Sequence, residues 1–439
     1  MQSLIWSNLI NHIKGSNIAK RILSGAFWSF VGSASGRLIV LLSGIIVAHI
    51  LTKQEYGQLG MVRSTIYMFV VMGNAGLGLT AAKYISEYRK TRKEKIPGVY
   101  LLTNGFAFFT GLLVTLLVLL LAPFLADKVL HSPDIEVSLR IGAIWLFVTV
   151  INAAQGGTLT GFEKFKASAI NQLFGCVAES VLMIIGAIYG GVFGALFGYG
   201  IGYIVLYVLN NISIKRVLKE ENIKVNYSYF DKSELSLLYK FSLPAALSSL
   251  LVTPVFWMAR TLLVRNGGFD EMAVYEAAEQ WRVIILFIPM SISQVVLPIL
   301  SSTVSDGMDK YWKVLKYNLF LNVSIAFFIA VIVCASSPII MSLYGKEYSN
   351  YLPIVFLALS TIFSAIRNVV GHAISSRAKM WQGLAFNIIW AILLMVFTYL
   401  FVVQFEYGSL GLALAVLLAY LFHCINQSFY LISNVKKYI

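Results

Sequence analysis

Charge is what this sequence has least of. Only 12% of its 439 residues are Asp, Glu, Lys or Arg, about half the share of an average soluble domain. A chain of this length needs charged surface to stay dispersed in water, and 58% of it is hydrophobic, with a mean hydropathy of +0.78. Lipid is therefore the expected solvent for most of it. Cysteine is scarce too: Cys176, Cys334 and Cys424 sit far apart in apolar runs with no CxxC or Cys/His spacing, so they read as plain buried thiols, with no disulfide framework or metal site. Nine prolines against 33 glycines and no polar tract exclude a disordered or collagen-like chain. The N-terminal stretch Met1–Leu23 carries no small-residue cleavage site after a short apolar core and reads as a cytoplasmic lead-in.

Catalytic signatures are missing as well. There is no HExxH, GxSxG, Walker loop or close Asp pair. The glycine run Gly76–Ala81 (GLGLTA) follows no strand, so it reads as a closely packed helical segment and not a phosphate loop. No enzyme activity and no cofactor are expected.

Long apolar runs are abundant. A bilayer core about 30 Å thick needs about 20 apolar residues per helix. Such runs recur twelve times, at 25–50, 60–82, 99–122, 137–160, 167–189, 191–212, 241–266, 276–301, 315–336, 351–374, 382–404 and 408–432. The net charge of +14 is explained by where the 34 basic residues fall. The N-terminus, the even-numbered loops and the C-terminal tail hold 24 of them, the opposite loops hold four (Lys53, Lys128, Arg265 and Lys346), and six lie within spans. By the positive-inside rule both termini are cytoplasmic, and nucleic acid is not needed as a partner.

The two halves echo each other. Tyr56 and Arg63 match Tyr275 and Arg282 at an offset of 219, while Pro123, Gly156 and Lys164 match Pro338, Gly371 and Lys379 at 215. With six spans each, the halves share one orientation and are parallel repeats about an axis along the membrane normal, an arrangement that suits rocking of one lobe against the other. The expected architecture is all-α: residues 1–212 form an N-lobe, 213–240 a cytoplasmic linker and 241–439 a C-lobe.

The embedded charges point to function. An arginine at the bilayer centre costs roughly 2.5–3.5 kcal/mol on insertion scales, so it must snorkel or line a wet cavity. Arg37 lies near the midplane, Arg260 in the outer third of span seven and Arg367 in the inner half of span ten. Arg63, Arg140 and Arg282 lie near the outer ends of their spans, where snorkelling competes with cavity lining. Arg37 runs beside a stripe of Ser29, Gly32, Ser33, Gly36, Ser43 and Gly44, and Arg260 follows Ser242, Ala246, Ser249 and Thr253 at helical spacing. Such stripes serve close helix packing, yet an arginine in the seam still needs water or an anion. Candidate cargo-binding cations are thus Arg37, Arg260, Arg63, Arg282 and Arg367. Glu179, the mid-membrane acid of the first six spans, and Glu279, three residues before Arg282, are candidates for charge balance or coupling. Guanidinium forks suit phosphate and carboxylate. His372 and His423 read as hydrogen-bonded packing residues.

Twelve spans, duplicated lobes and the segment GAFWSFVGSASGRL…AHILTKQEYGQLG (Gly25–Gly60), with its L-x4-YG turn at Leu51–Gly57 and the basic loop Lys83–Lys95, carry a resemblance. The chain resembles the polysaccharide-exporter branch of the multidrug/oligosaccharidyl-lipid/polysaccharide (MOP) superfamily, of the O-antigen flippase type. The resemblance implies a bacterial inner-membrane protein that flips undecaprenyl-pyrophosphate-linked oligosaccharide and works beside other polysaccharide-assembly proteins. It also implies a cationic lumen, which Arg37, Arg63 and Arg260 fit. Two alternatives stand: an ion-coupled drug or metabolite antiporter of the same superfamily, which would need acids in its cleft, and a membrane-embedded glycan polymerase, for which the short external loops leave little room.

Overall fold

A computed structural model describes residues 17–74, 76–225, 251–303, 308–375 and 379–435. The described residues are almost entirely helical, without strands. This follows from the solvent: in hydrocarbon every backbone N–H and C=O must be satisfied within the segment, and long runs of Leu, Ile, Val and Phe do so as helices. In order they are α1 (Asn17–Ile50), α2 (Lys53–Asn74), α3 (Leu77–Thr91), α4 (Ile96–Phe124), α5 (Glu136–Gly161) and α6 (Phe165–Glu220). Then come α7 (Val252–Thr303), α8 (Met308–Ala335), the short α9 (Ser337–Ser342), α10 (Leu352–Ser375), α11 (Met380–Thr398) and α12 (Gly408–Val435). Among the described residues eight helices are long and apolar enough to cross a membrane. Large apolar side chains cover the outside, Leu120 being 80% and Phe320 73% exposed; such a surface needs lipid to cover it.

Glycine decides where the chain turns. α6, 56 residues long, is broken at Gly190–Gly191, where Gly191 has φ 54°. Its two arms fold back on each other, and the contact between them is made by glycines. A Cβ on Gly198 would strike the carbonyl of Leu182, and one on Gly186 that of Gly194. Gly202 lies against Glu179 in the same way, and Gly175 against Leu206. The spans expected at 167–189 and 191–212 are these two arms, and the second continues about two turns further, to Glu220. α7 likewise breaks at Gly268, φ 76°, and Arg260 on its first arm faces Tyr275 and Glu279 on its second. Ser242, Ala246 and Ser249, in the stretch that precedes α7, lie outside the described residues.

The span expected at 60–82 is two helices, α2 and α3, bent by 42° around Gly76, whose φ is 71°. The Gly76–Ala81 run does pack closely: Gly78 lies against Ala153 and Gly157. The turn from α1 into α2 is a capping box, in which Thr52 and Glu55 each bond the other's backbone N–H, at 2.9 and 3.2 Å.

α1 lies along α6, α4 and α5 pack together, and α5 also carries α2, α3 and α6. In the remainder, α10 packs on α7, α8 and α12, and α11 on α12. The main bridge between these sets is α2 against α7, backed by a smaller contact of α1 with α7. There a Cβ on Gly57 would collide with the carbonyl of Phe269, and Gly60 packs on the side chain of Glu276. The three cysteines are free thiols; Cys176 and Cys424 are buried and Cys334 is half-buried.

Candidate functional site

Between the two sets lies a cavity of about 1680 Å³, lined from α1, α2, α6, α7, α10 and α12. All seven charged residues singled out from the sequence line it: Arg37, Arg63, Arg260, Arg282, Arg367, Glu179 and Glu279. The helix faces explain how. On α1, Gly32 and Gly36 press against Ala169 and Cys176 of α6, which turns Ser29, Ser33 and Arg37 along the cavity wall. The small-residue stripe therefore both packs and lines.

The arginines are not equivalent. Arg282 is claimed by Glu279, with Nε and Nη2 donating to the two carboxylate oxygens at 2.6 Å each. This is a bidentate pair buried in the wall. Arg260 donates from Nη1 to Ser64 Oγ at 2.9 Å, across the α2–α7 seam, and its Nη2 lies 3.8 Å from Glu279. Arg63 lies 3.9 Å from Glu179 and 5.0 Å over the ring of Tyr199. Arg367 stands 5.8 Å over Tyr420, and Arg37 5.1 Å over Phe287. Neither of these two forms an ion pair among the described residues. Arg140 is elsewhere, on the exposed face of α5 and paired with Glu136 at 2.7 Å. Of the three arginines near outer span ends, then, only Arg140 sits at the surface, while Arg63 and Arg282 turn inward.

Several lining residues went unread in the sequence. Glu276 lies three residues before Glu279, a spacing that places both on one face of α7, and that spacing was the available signal. Tyr420 of the lining and Tyr199 just behind it, the platforms under Arg282 and Arg63, sit 221 residues apart, close to the repeat offset, which would have revealed them once the arginines were paired. Ser64 and Gln280 carried no sequence signal. With Glu163 in the α5–α6 connection, the lining holds five arginines and four glutamates, a balance of +1 (5 − 4). The site is thus less one-sidedly cationic than the scarcity of embedded acids suggested. His423 is enclosed outside the lining, within 2.8 Å of Gln427.

Beyond Glu276 and Gln280 of the lining lie packed side chains that do not themselves line the cavity. Gln280 Nε2 donates to Tyr56 Oη at 2.6 Å, and the rings of Tyr56, Tyr344 and Tyr348 lie 5.8–6.4 Å apart by their centroids.

Helical hairpins around a central charged cavity define a transporter-type membrane fold, and solved structures share it. The chain superposes on a multidrug resistance MATE family transporter of the MOP superfamily in its inward-facing conformation with a TM-score of 0.81, at 17% identity, covering 92% of this chain and 96% of that one. The outward-facing conformation gives 0.71, at 16% identity and 94% of each chain. A MOP superfamily transporter from Pyrococcus furiosus, described as having a binding pocket of reversed polarity, also gives 0.71, at 15% identity and 94% of each chain.

Sequence comparison narrows the class. Residues 22–304 match the family described as "Polysaccharide biosynthesis protein". The EPS I polysaccharide export inner membrane protein EpsE of Ralstonia nicotianae is 22% identical over 419 residues, 91% of each chain. A candidate O-antigen transporter of Shigella flexneri is 21% identical over 364 residues, covering 82% of this chain and 85% of that protein. The chain belongs to the polysaccharide biosynthesis protein family, and its long apolar helices make it a multi-pass membrane protein.

Proposed function

We propose that this transporter flips undecaprenyl-pyrophosphate-linked oligosaccharide from the inner to the outer leaflet by alternating access. The observation that carries the reading is the convergence of Arg37, Arg63, Arg260, Arg282 and Arg367 on one cavity. A pyrophosphate offers oxygens to several guanidinium forks at once. Arg37 and Arg367, which no carboxylate among the described residues claims, are the cations most open to such an anion. The polyprenyl tail stays in lipid, and no covalent bond is made or broken.

The alternating-access part rests on the asymmetry of the cavity's two ends. One reaches the α5–α6 connection at Glu163 and Phe165, and the other stops at the tyrosine cluster. The closer likeness to the inward-facing relative agrees with closure on the outer side. In this reading the arms of α6 and α7 count as two spans each, and α2 with α3 as one bent span, which makes twelve. Two six-span lobes, 1–212 and 241–439, then pivot about the α2–α7 seam, with both termini cytoplasmic as the basic loops require.

The test is flipping of a labelled lipid-linked oligosaccharide in proteoliposomes. Arg37→Ala and Arg260→Ala are each expected to slow it by roughly tenfold to a hundredfold, since hydrogen bonds to a charged group contribute about 1.5–3 kcal/mol. Undiminished transport by both variants would sink the assignment.

One observation favours a second reading, an ion-coupled antiporter: Glu179, Glu276 and Glu279 all line the cavity, and carboxylates are what coupling ions and cationic drugs bind. Drug-resistance profiling on overexpression separates the two readings.

A further inference from the structure

The side chains that close the outer end of the cavity are an odd choice for a seal. Tyr56, Tyr344 and Tyr348 are 3%, 0% and 3% exposed, so they are not the interfacial tyrosines that anchor a helix end at the headgroups. With Trp281 they form an aromatic cluster, and Gln280 and Glu276 join that cluster to the arginine-lined cavity. A plug meant only to close would be satisfied by Leu, Val or Phe. This one encloses polar atoms that no protein group bonds: among the described residues Tyr348 Oη, Gln280 Oε1 and Glu276 Oε2 lack a hydrogen-bond partner. Phenol, amide and carboxylate grouped beside aromatic faces can exchange hydrogen bonds with a ligand that enters when the cluster opens.

We propose that this plug is a latent saccharide-binding surface, which takes the sugar residues of the cargo when the α2–α7 seam parts. The chemistry fits a hydroxyl-rich ligand. Aromatic faces pack against the apolar C–H faces of sugar rings, while phenol, amide and carboxylate exchange hydrogen bonds with hydroxyls. Its place fits as well, because Glu276 and Gln280 line the arginine cavity and also border the tyrosines. A cargo with its pyrophosphate on the arginines extends its glycan toward the plug. The seam is built to separate there, since Gly57 and Gly60 bring α2 against Phe269 and Glu276 through bare backbone and a single side chain. The inference rests on the flippase reading above.

The experiment keeps the rings and removes the hydroxyls. Wild type and the double variant Tyr344→Phe with Tyr348→Phe are reconstituted. Flipping is then measured for two probes, a polyprenyl pyrophosphate carrying a tetrasaccharide and the same carrier bearing a single sugar. The variant is expected to move the tetrasaccharide probe about tenfold more slowly, the effect of losing one or two hydrogen bonds, and the single-sugar probe at the wild-type rate. Unchanged rates for both probes, or equal losses on both, overturn the proposal, since the cluster then only seals or only gates. If wild type moves neither probe, the flippase reading itself falls and this inference with it. Should the double variant lose its thermal transition, the single Tyr348→Phe replaces it in the same comparison.

Discussion

At the scale of the residue, the five cavity arginines differ in what holds them, and this sets what each does on mutation. Arg282 and Glu279 are a buried bidentate pair. Removing Arg282 leaves the buried Glu279 with the longer 3.8 Å contact to Arg260, a loss that costs up to about 3–5 kcal/mol. Arg282→Ala is expected to lower the thermal midpoint in detergent by several degrees, and the joint change Arg282→Met with Glu279→Leu to restore most of it. Arg37→Ala breaks no ion pair among the described residues, so its melting curve should stay near wild type while flipping falls.

Outside the membrane, Glu221 accepts a hydrogen bond from Lys93 Nζ at 2.7 Å, which holds its carboxyl below the usual carboxylate range. A depressed value in the folded state adds stability above the unfolded value, about 4.3 for glutamate. That stability is lost as pH falls through the folded value. Lys93→Ala should therefore flatten the acid limb of the thermal-midpoint profile, by a small amount because the pair is exposed. An unaltered limb would show that the bridge does not act.

At the scale of the element, the α6 hairpin depends on glycines that let its arms touch backbone to backbone. Gly198 faces Leu182 and Gly186 faces Gly194, with no room for a Cβ. Gly198→Leu is expected to destabilise by about 1–3 kcal/mol through overpacking, read as a lower melting temperature. The same change at Gly105, where nothing lies near the missing Cβ, should leave it in place. Elements were also where the sequence was most legible. Apolar run length located the spans, and Gly190–Gly191 was visible as a tight link between two of them. The bend between α2 and α3 was hidden, because the apolar run 60–82 continues across the joint at which Gly76 takes a left-handed φ.

For the whole molecule, the proposed alternating-access reading makes one side of the membrane the entrance in this state. Cys176 lines the cavity. With Cys334 and Cys424 changed to Ser, Cys176 should react with a membrane-impermeant thiol reagent in inside-out vesicles and resist it in right-side-out ones. Gly57→Leu places bulk where α2 meets Phe269 and should reverse the preference by holding the outer seam apart. Equal labelling from both sides would contradict a cavity closed at its outer end.

Membrane character, span positions, the embedded arginines and the acids Glu179 and Glu279 could be read from the chain alone, because lipid punishes charge and polar backbone locally, residue by residue. Which of those charges meet could not. Arg63 and Arg282 lie at span depths where snorkelling was equally open, and only the rotation of α2 and α7 about their shared seam turns them inward. Pairing is likewise a matter of neighbours distant in sequence. Arg260 reaches Ser64 across 196 residues and Gln280 reaches Tyr56 across 224. No periodicity records such contacts, since they depend on how helices cross once their faces are packed.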